Sequence, residues 1–264
     1  MANSKKRILL VAATTIAVLL IASIGYVDVK SSSVVPILMY HSFEVEDPGT
    51  TPNVTPEIFR KQIEFFVKHK YNIVGLDKVV VYMTKKEKMP SRAVAITVDD
   101  GLRSFYKNAY PILKEYGVHA ALFMAADRVG EPGYMSWKEL REVSDSGLVM
   151  VESHTASHPW LPTISVDEKK LHEEIIGSKE IFEYGLRKKV DYICYPNGGF
   201  NDLVKETARL AGYEGAFTTN PDKKSAINDI YAIRRLKMSS SSRTPLVIWG
   251  KVNRFYAWWK ETRW

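Results

Sequence analysis

Strand-like and helix-like segments alternate along most of the chain, and this alternation restricts the possible folds more than any other feature. Ala93–Val98, residues 119–125 and residues 148–152 are short apolar runs, rich in β-branched residues in the first of them. Residues 105–116, between the first two runs, carry apolar side chains at helical spacing. Strands that alternate with helices in this way pair in parallel. About seven such units predict an α/β fold, a parallel-stranded barrel that is either complete or incomplete.

The first thirty residues differ from the rest of the chain. A basic patch at residues 5–7 precedes residues 8–27, none of which is charged. Twenty residues in a helix span about 30 Å, the thickness of a bilayer core, whereas the apolar part of a signal peptide usually has about 7–15 residues. The length favours an uncleaved anchor, with cleavage near residues 23–25 and a buried core helix as alternatives. Residues 1–30 are therefore predicted to be a signal peptide or membrane anchor. Residues 31–264 are predicted to be a single domain on the extracellular face of the cytoplasmic membrane, or secreted.

Composition excludes several classes of site and partner. The only cysteine is Cys194, which fits an exported protein without a disulfide framework. It also excludes a zinc site built from several thiolates. The formal net charge is +7, but the sequence contains no dense basic run or nucleic-acid-binding motif. No nucleic acid is expected to bind, and no protein partner is evident from the sequence.

Two local patterns predict details of the helices. Ser165 and Glu168 have the spacing of a capping box at a helix start. Residues 245–259 are predicted to form a terminal helix that carries several aromatic side chains. Docking of this helix on the domain is the favoured role for these aromatic residues, with stacking on sugar rings or contact with a membrane interface as alternatives.

Two adjacent carboxylates end one of the strand-like runs. Asp99 and Asp100 follow Ala93–Val98 and precede Gly101. Burial of an unpaired carboxylate costs on the order of several kcal/mol, and a nearby cation removes that cost. The pair is therefore a candidate cation site. A turn or helix N-cap is the competing interpretation, because Asp-Gly often marks turns.

Two histidines follow another strand-like run. His154 and His158 can converge on one metal ion if the segment between them makes a helical turn. The carboxyl ends of parallel strands meet at one edge of a barrel, so this pair is expected beside Asp100. Two imidazoles and one carboxylate leave a position open for water, as in catalytic metal sites. Zinc is the expected ion, and cobalt, nickel or manganese would also accept these ligands. Asp99 is the candidate general base.

The two motifs together resemble a known enzyme family. Residues 97–101 read T-V-D-D-G and residues 154–158 read H-T-A-S-H. They are similar to the first two motifs of the polysaccharide deacetylases, the NodB-homology enzymes of carbohydrate esterase family 4, which are usually T-F-D-D-G and H-[ST]-x-x-H. The resemblance covers roughly residues 34–240. It implies a distorted (β/α)7 barrel, Asp99 as the base, and Asp100, His154 and His158 as the ligands of a divalent metal.

The third motif of the family is only partly matched. The family typically has R-x-P-Y-G, in which the Arg orients the base and the backbone helps to bind an oxyanion. Cys194 stands at the Arg position here, and Asn197 stands at the Tyr position. A backbone N–H at Asn197 could still stabilise an oxyanion, because that role does not depend on the side chain. Tyr195 and Asn197 are predicted to bind the substrate.

The family's C-terminal L-x-H motif, which supplies the general acid, is absent, since no histidine follows His172. Residues 36–41 read P-I-L-M-Y-H, which resembles a subgroup that includes deacetylases of poly-β-1,6-N-acetylglucosamine. In that subgroup an N-terminal L-x-Y-H supplies the acid, so His41 is the candidate acid. A hydrogen-bonded structural histidine is the alternative. The subgroup also often has an Arg before the last strand, and Arg235 matches it and could replace the missing Arg beside Asp99.

The resulting prediction is an exported, membrane-anchored enzyme that removes N-acetyl groups from a polysaccharide containing N-acetylglucosamine and releases acetate. The polymer could be a cell-wall polysaccharide, an exopolysaccharide or a chitin-like oligomer. Two alternatives remain. One is an esterase that removes O-acetyl groups from xylan or another sugar. The other is a non-catalytic carbohydrate-binding protein with a vestigial site.

Overall fold

The structure is a computed structural model that describes most of the chain beyond the N-terminal segment. The described residues are 34–46, 52–85, 87–219 and 229–253, with Thr15 and Tyr256. Apart from Thr15, the predicted anchor or signal peptide lies outside them, as do several of the C-terminal aromatic residues. No helix within the described ranges is long and apolar enough to cross a bilayer.

Short buried strands alternate with helices along the described chain. The strands are β1 (Ile37–Tyr40), β2 (Asn72–Ile73), β3 (Ala93–Val98), β4 (Ala120–Met124), β5 (Val149–Ser153), β6 (Tyr192–Cys194), β7 (Gly215–Thr218), β8 (Ile233–Arg234) and β9 (Leu236–Lys237). The α-helices are α1 (Pro56–Lys68), α2 (Leu76–Lys85), α3 (Tyr110–Tyr116), α4 (Trp137–Asp145), α5 (Leu161–Ile164), α6 (Glu168–His172), α7 (Ser178–Leu186), α8 (Asp202–Leu210) and α9 (Pro245–Val252). Two π-helical turns, Phe105–Ala109 and Glu173–Gly177, precede α3 and α7, and two 3₁₀ turns span Ala126–Arg128 and Pro196–Gly198.

The strands form one parallel sheet that curls into a nearly closed barrel. Their order is β8-β7-β6-β5-β4-β3-β1-β9, and the short β2 pairs with β3. β8 and β9 lie at opposite ends of this order, although only Arg235 separates them in the chain. The last strand segment therefore pairs with β7 through its first half and with β1 through its second half. If β8 and β9 are taken as one interrupted strand and β2 is left aside, the barrel has seven strands. The predicted (β/α)7 architecture is confirmed.

The core has an inner and an outer layer because successive strand side chains point to opposite faces. Leu38, Val94 and Ile193 belong to the larger cluster, which packs the outside of the sheet against the helices. The smaller cluster lies inside the barrel and includes Ile37 and Ala95. Its strand residues share the inward-facing positions along each strand. The same alternation determines which residues just after each strand point their side chains into the barrel mouth.

One capping prediction is wrong, and the predicted C-terminal helix is interrupted at Asn253. Asp167, rather than Ser165, caps the helix that follows, because the Asp167 carboxylate accepts from the backbone of that helix. The Ser165 hydroxyl donates to the carbonyl of Pro162 instead. A complete capping box does occur at Ser136 and Glu139, where the same spacing is found. The terminal helix α9 ends at Val252 within the described residues.

The Glu152 side chain supplies a hydrogen bond between β5 and β6, where few backbone hydrogen bonds join the two strands. These two strands share a single paired position, Ser153 with Ile193. The buried Glu152 carboxyl group accepts a hydrogen bond of 2.8 Å from the backbone N–H of Tyr192. Burial raises the pKa of Glu152 well above its usual range. Glu152 thus satisfies a buried backbone donor just below the barrel mouth.

Replacing Glu152 with leucine is expected to lower the free energy of unfolding by about 1–3 kcal/mol, because the Tyr192 N–H would stay buried without an acceptor. Urea unfolding followed by circular dichroism measures this loss. Glu152→Gln is the matched control, since it keeps an acceptor oxygen and should lose less. Equal losses in the two variants would show that the hydrogen bond to Tyr192 contributes nothing.

Candidate active site

The barrel mouth collects polar side chains from the ends of several strands. Ile37 and Ala95 lie inside the barrel, and His41 and Asp99 follow them by an even number of residues. The backbone N–H of Asp99 donates to the carbonyl of Tyr40 at 2.9 Å, so His41 and Asp99 lie on adjacent strands at the same height. The alternation of strand side chains therefore directs both groups into the mouth.

Asp99 is held by a buried, two-pronged ion pair with Arg235. The Arg235 Nη1 and Nη2 atoms donate to the two Asp99 carboxylate oxygens, each at 2.6 Å. Nη1 also donates to the Thr97 hydroxyl at 3.0 Å, and the guanidinium lies over the ring of Phe123, 5.4 Å from its centre. Burial by itself would raise the pKa of Asp99, but the charge and hydrogen bonds of Arg235 outweigh it and lower that pKa to about 2. Asp99 is therefore an oriented, ionised carboxylate at neutral pH.

The small side chain of Cys194 leaves room for the Arg235 guanidinium beside Asp99. Arg235 Nη2 lies 2.8 Å from the Cys194 sulfur, which is itself 3.7 Å from an oxygen of Asp99. Burial raises the pKa of the Cys194 thiol well above its usual range, so it stays neutral. An arginine at position 194, as in the usual third motif, would compete with Arg235 for the same carboxylate. Asp99, Cys194 and His154 also lie close enough to hold a metal, but the first two already accept hydrogen bonds from the guanidinium.

The three predicted metal ligands converge at the mouth beside Asp99. The Asp100 Oδ1 atom lies 3.7 Å from His154 Nε2 and 3.6 Å from His158 Nε2. One ligand atom from each side chain lies within 4.8 Å of the other two. Burial raises the pKa of Asp100 above its usual value, and a cation between the three groups would stabilise its ionised form. Two imidazole nitrogens and one carboxylate oxygen are donors that suit a zinc-like divalent cation.

The ring of His154 is oriented by the backbone of the third motif. His154 Nδ1 lies 2.7 Å from the carbonyl oxygen of Cys194, so Nδ1 carries the proton and Nε2 presents its lone pair towards Asp100. Burial lowers the pKa of His154 to about 3. A neutral imidazole with a fixed tautomer is the form that binds a metal. Cys194 therefore contributes to the site twice: its backbone carbonyl orients His154, and its side chain contacts Arg235.

The segment between the two histidines is a loop, so the histidines converge without the helical turn that their spacing suggested as the condition for it. Thr155 has φ 67° and His158 has φ 65°, both in the left-handed region. Asp100 and Gly101 are also left-handed, with φ 71° and φ 69°. Such backbone conformations cost on the order of 1 kcal/mol each for residues other than glycine, and they concentrate at functional sites. A side chain at Gly101 would also overlap Met124, so only glycine fits there.

Glu174 holds this loop in place and was missed by the sequence prediction. Its carboxylate accepts from the backbone N–H of Ser157 at 2.9 Å and from the Ser157 hydroxyl. Its backbone carbonyl accepts from the N–H of Ala156 at 3.1 Å. Glu174 is buried and lies in the π-helical turn Glu173–Gly177. The sequence did contain a signal for a buried role of Glu174, because this acidic residue lies three positions after Leu171, on the apolar face of a helix.

His41 lies at the mouth with one ring nitrogen unused. Its charge acts on both Asp99 and Asp100, lowering the pKa of each. Its Nδ1 atom is buried and has no hydrogen-bond partner within the described residues. The alternative of a hydrogen-bonded structural histidine is therefore not supported at that nitrogen.

Tyr195 and Asn197, which were predicted to bind the substrate, lie in the third motif. Asn197 is exposed and left-handed, with φ 52°, in the 3₁₀ turn Pro196–Gly198. Tyr195 is buried, and its hydroxyl donates to the carbonyl of Tyr231 at 3.0 Å. The Tyr195 side chain therefore points into the protein, and only its backbone remains for contact with a substrate.

Comparisons with known proteins agree with this fold and identify a family. Residues 86–216 match the family model described as polysaccharide deacetylase. The Bacillus subtilis protein YxkH is 28% identical over 215 residues, which cover 81% of this chain and 75% of YxkH. A poly-beta-1,6-N-acetyl-D-glucosamine N-deacetylase of Staphylococcus aureus is 28% identical over 206 residues, covering 74% of this chain and 71% of that protein.

A solved structure shares both fold and sequence features with this chain. The Streptococcus pyogenes deacetylase PplD, determined in complex with acetate, superposes with a TM-score of 0.76 and 25% sequence identity. The match covers 83% of this chain and 97% of PplD. The chain belongs to the polysaccharide deacetylase family, the NodB-homology enzymes of carbohydrate esterase family 4.

Proposed function

We propose that this protein is a metal-dependent hydrolase that removes N-acetyl groups from N-acetylglucosamine residues of a polysaccharide and releases acetate. The observation that carries the proposal is the ionised Asp99, held by Arg235, directly beside the convergent Asp100, His154 and His158. The Staphylococcus aureus relative is named for deacetylation of poly-β-1,6-N-acetylglucosamine, which makes a polymer of this class the first substrate to test.

Asp99 would act as the general base. A divalent cation bound by Asp100, His154 and His158 would lower the pKa of water and polarise an acyl oxygen. Asp99 is ionised, and among the described residues its Oδ1 atom accepts only from Arg235, which leaves a lone pair on that oxygen. It can therefore take a proton from water at the mouth. Arg235 acts as a positioning residue, because it fixes the orientation of this carboxylate.

His41 and Asn197 would complete the reaction. Hydrolysis of an amide needs a proton for the departing nitrogen, and His41 lies beside Asp99 on the neighbouring strand. Protonated His41 would donate to the amine as the carbon–nitrogen bond breaks. A backbone N–H at Asn197 would stabilise the oxyanion that develops on the acetyl oxygen. The products are acetate and a free amino sugar.

The proposal includes an extracytoplasmic location. Residues 8–27 are uncharged and follow a basic patch, the pattern of an exported segment. Polysaccharides of the cell envelope lie outside the cytoplasm, so an exported enzyme would meet its substrate there. Whether residues 1–30 anchor the protein or are cleaved is part of the same proposal.

The purified full-length protein, supplied with zinc, is expected to release acetate from β-1,6-linked N-acetylglucosamine oligomers. A chelator should abolish release, and added zinc should restore it. General acid–base catalysis typically contributes about 10²- to 10⁴-fold, so Asp99→Asn should lose activity on that scale and His41→Ala should lose at least about tenfold. A coupled acetate assay, together with detection of the new free amine, measures both.

Each competing function gives a different result in the same assay. Acetate release from O-acetylated xylan but from no N-acetylated oligomer would identify an esterase. Binding of oligomers without acetate release from any substrate would identify a non-catalytic protein. Retained activity in Asp99→Asn, or full activity after chelation, would contradict the mechanism.

Arg235→Met is expected to destabilise the protein by about 3–5 kcal/mol, because it leaves the buried Asp99 charge unpaired. Asp99→Asn removes that charge, so the Asp99→Asn/Arg235→Met double variant should lose much less than the sum of the single losses. Urea unfolding of the four proteins forms a double-mutant cycle. Additive losses would show that the two side chains are not energetically coupled.

Glu174→Gln is expected to weaken zinc binding about tenfold or more, because residues that support metal ligands typically contribute about 10- to 100-fold in affinity. The amide keeps only one acceptor oxygen for the two Ser157 donors. Competition with a chromogenic chelator measures the dissociation constant. Glu173→Gln is the control, since Glu173 is exposed and should leave affinity unchanged. Equal zinc affinities in the two variants would show that Glu174 does not support the metal ligands.

A further inference from the structure

Trp160 is a partly exposed aromatic residue next to the metal-ligand loop. It follows the predicted ligand His158 by two residues, and 41% of it is accessible to solvent. Its backbone carbonyl accepts from the N–H of Thr163 at 3.1 Å and from the Thr163 hydroxyl at 2.8 Å. These bonds fix the backbone from which the indole projects.

The indole ring rests on a glycine in the third motif. A Cβ atom at Gly199 would lie 2.7 Å from both Cε3 and Cζ3 of Trp160 and 3.0 Å from Cδ of Pro162. Gly199 has φ −78° and ψ 120°, an ordinary extended conformation open to any residue. The backbone therefore does not require glycine there, whereas the packing of the indole does. Gly199 serves as a seat for the ring of Trp160.

This contact places an aromatic surface between the two loops that form the rim of the site. One loop ends at His158, and the other carries Asn197, two residues before Gly199. The side chain packs against Gly199, and 41% of the residue stays accessible to solvent. A large exposed aromatic surface is costly to leave in water and suits a ligand with its own apolar face.

We propose that Trp160 binds a pyranose ring of the polysaccharide, next to the sugar whose acetyl group is removed. The C–H face of a pyranose supplies apolar surface for the indole, while its hydroxyl groups stay in water. Because the ring is already seated on Gly199, little side-chain freedom is lost on binding. The inference rests on the proposed function for the identity of the ligand, and it adds a subsite for a neighbouring sugar.

The test is calorimetric binding of a β-1,6-linked N-acetylglucosamine hexamer to the zinc-loaded, full-length Asp99→Asn protein, which should not consume the ligand. Adding Trp160→Ala is expected to weaken binding about five- to tenfold, as for loss of an aromatic contact. Trp160→Phe should lose less. Gly199→Ala should weaken binding to a similar extent, because its methyl group displaces the indole.

The combination of variants separates a sugar contact from a general structural effect. In the Trp160→Ala background, Gly199→Ala should cause little further loss, since the ring it displaces is gone. Trp249→Ala is the matched control, because Trp249 is 52% exposed but lies on α9. It should bind the hexamer normally. Unchanged zinc affinity in every variant would show that the ligand loop is intact.

Unweakened hexamer binding by Trp160→Ala, or additive losses for Trp160→Ala and Gly199→Ala, would overturn the inference. So would an absence of hexamer binding in the parent protein. The proposed function is tested separately by acetate release from the wild type. Binding that depends on Trp160 without any acetate release would overturn the proposed function and support the sugar contact.

Discussion

The buried ion pair between Asp99 and Arg235 links the closure of the barrel to its chemistry. Arg235 is the single residue between the two segments that pair with opposite edges of the sheet. Removing both charges from water is costly, and only near-ideal geometry offsets that cost. Here each carboxylate oxygen accepts one guanidinium N–H, while Thr97, Cys194 and Phe123 complete the surroundings of the cation. The interaction that orients the proposed base thus also ties the end of β3 to the last strand segment, where the barrel closes.

The same geometry explains how the site accommodates a cysteine in its third motif. The inward positions at the ends of β3, β6 and the last strand segment converge within the barrel, so an arginine can reach Asp99 from more than one strand. Cys194 is small and neutral, and it contacts the guanidinium that arrives from the last strand segment. Its backbone carbonyl meanwhile orients His154. The departure from the usual motif therefore moves the positive charge to another strand without removing it.

Strained backbone at the mouth is supported by contacts deeper in the fold. Asp100, Thr155 and His158 adopt left-handed conformations, which are uncommon for residues other than glycine. Three hydrogen bonds to Glu174 hold the loop between the histidines. Met124 packs against Gly101, the residue after Asp100. Rigid support of this kind lets three side chains converge without an ion, which would lower the conformational cost of the proposed metal binding.

Much of the architecture and most of the site followed from the sequence. Its alternating apolar segments determined the parallel barrel, and the two-residue period of the strands places His41 and Asp99 in the mouth. Strand-end motifs identified Asp100 and the two histidines because those residues follow apolar strands directly. The tertiary structure alone decided the loop between the histidines, the clamp from Glu174 and the seat of Trp160 on Gly199. These depend on contacts between segments far apart in the chain, whereas periodicity reports only on neighbours within one segment.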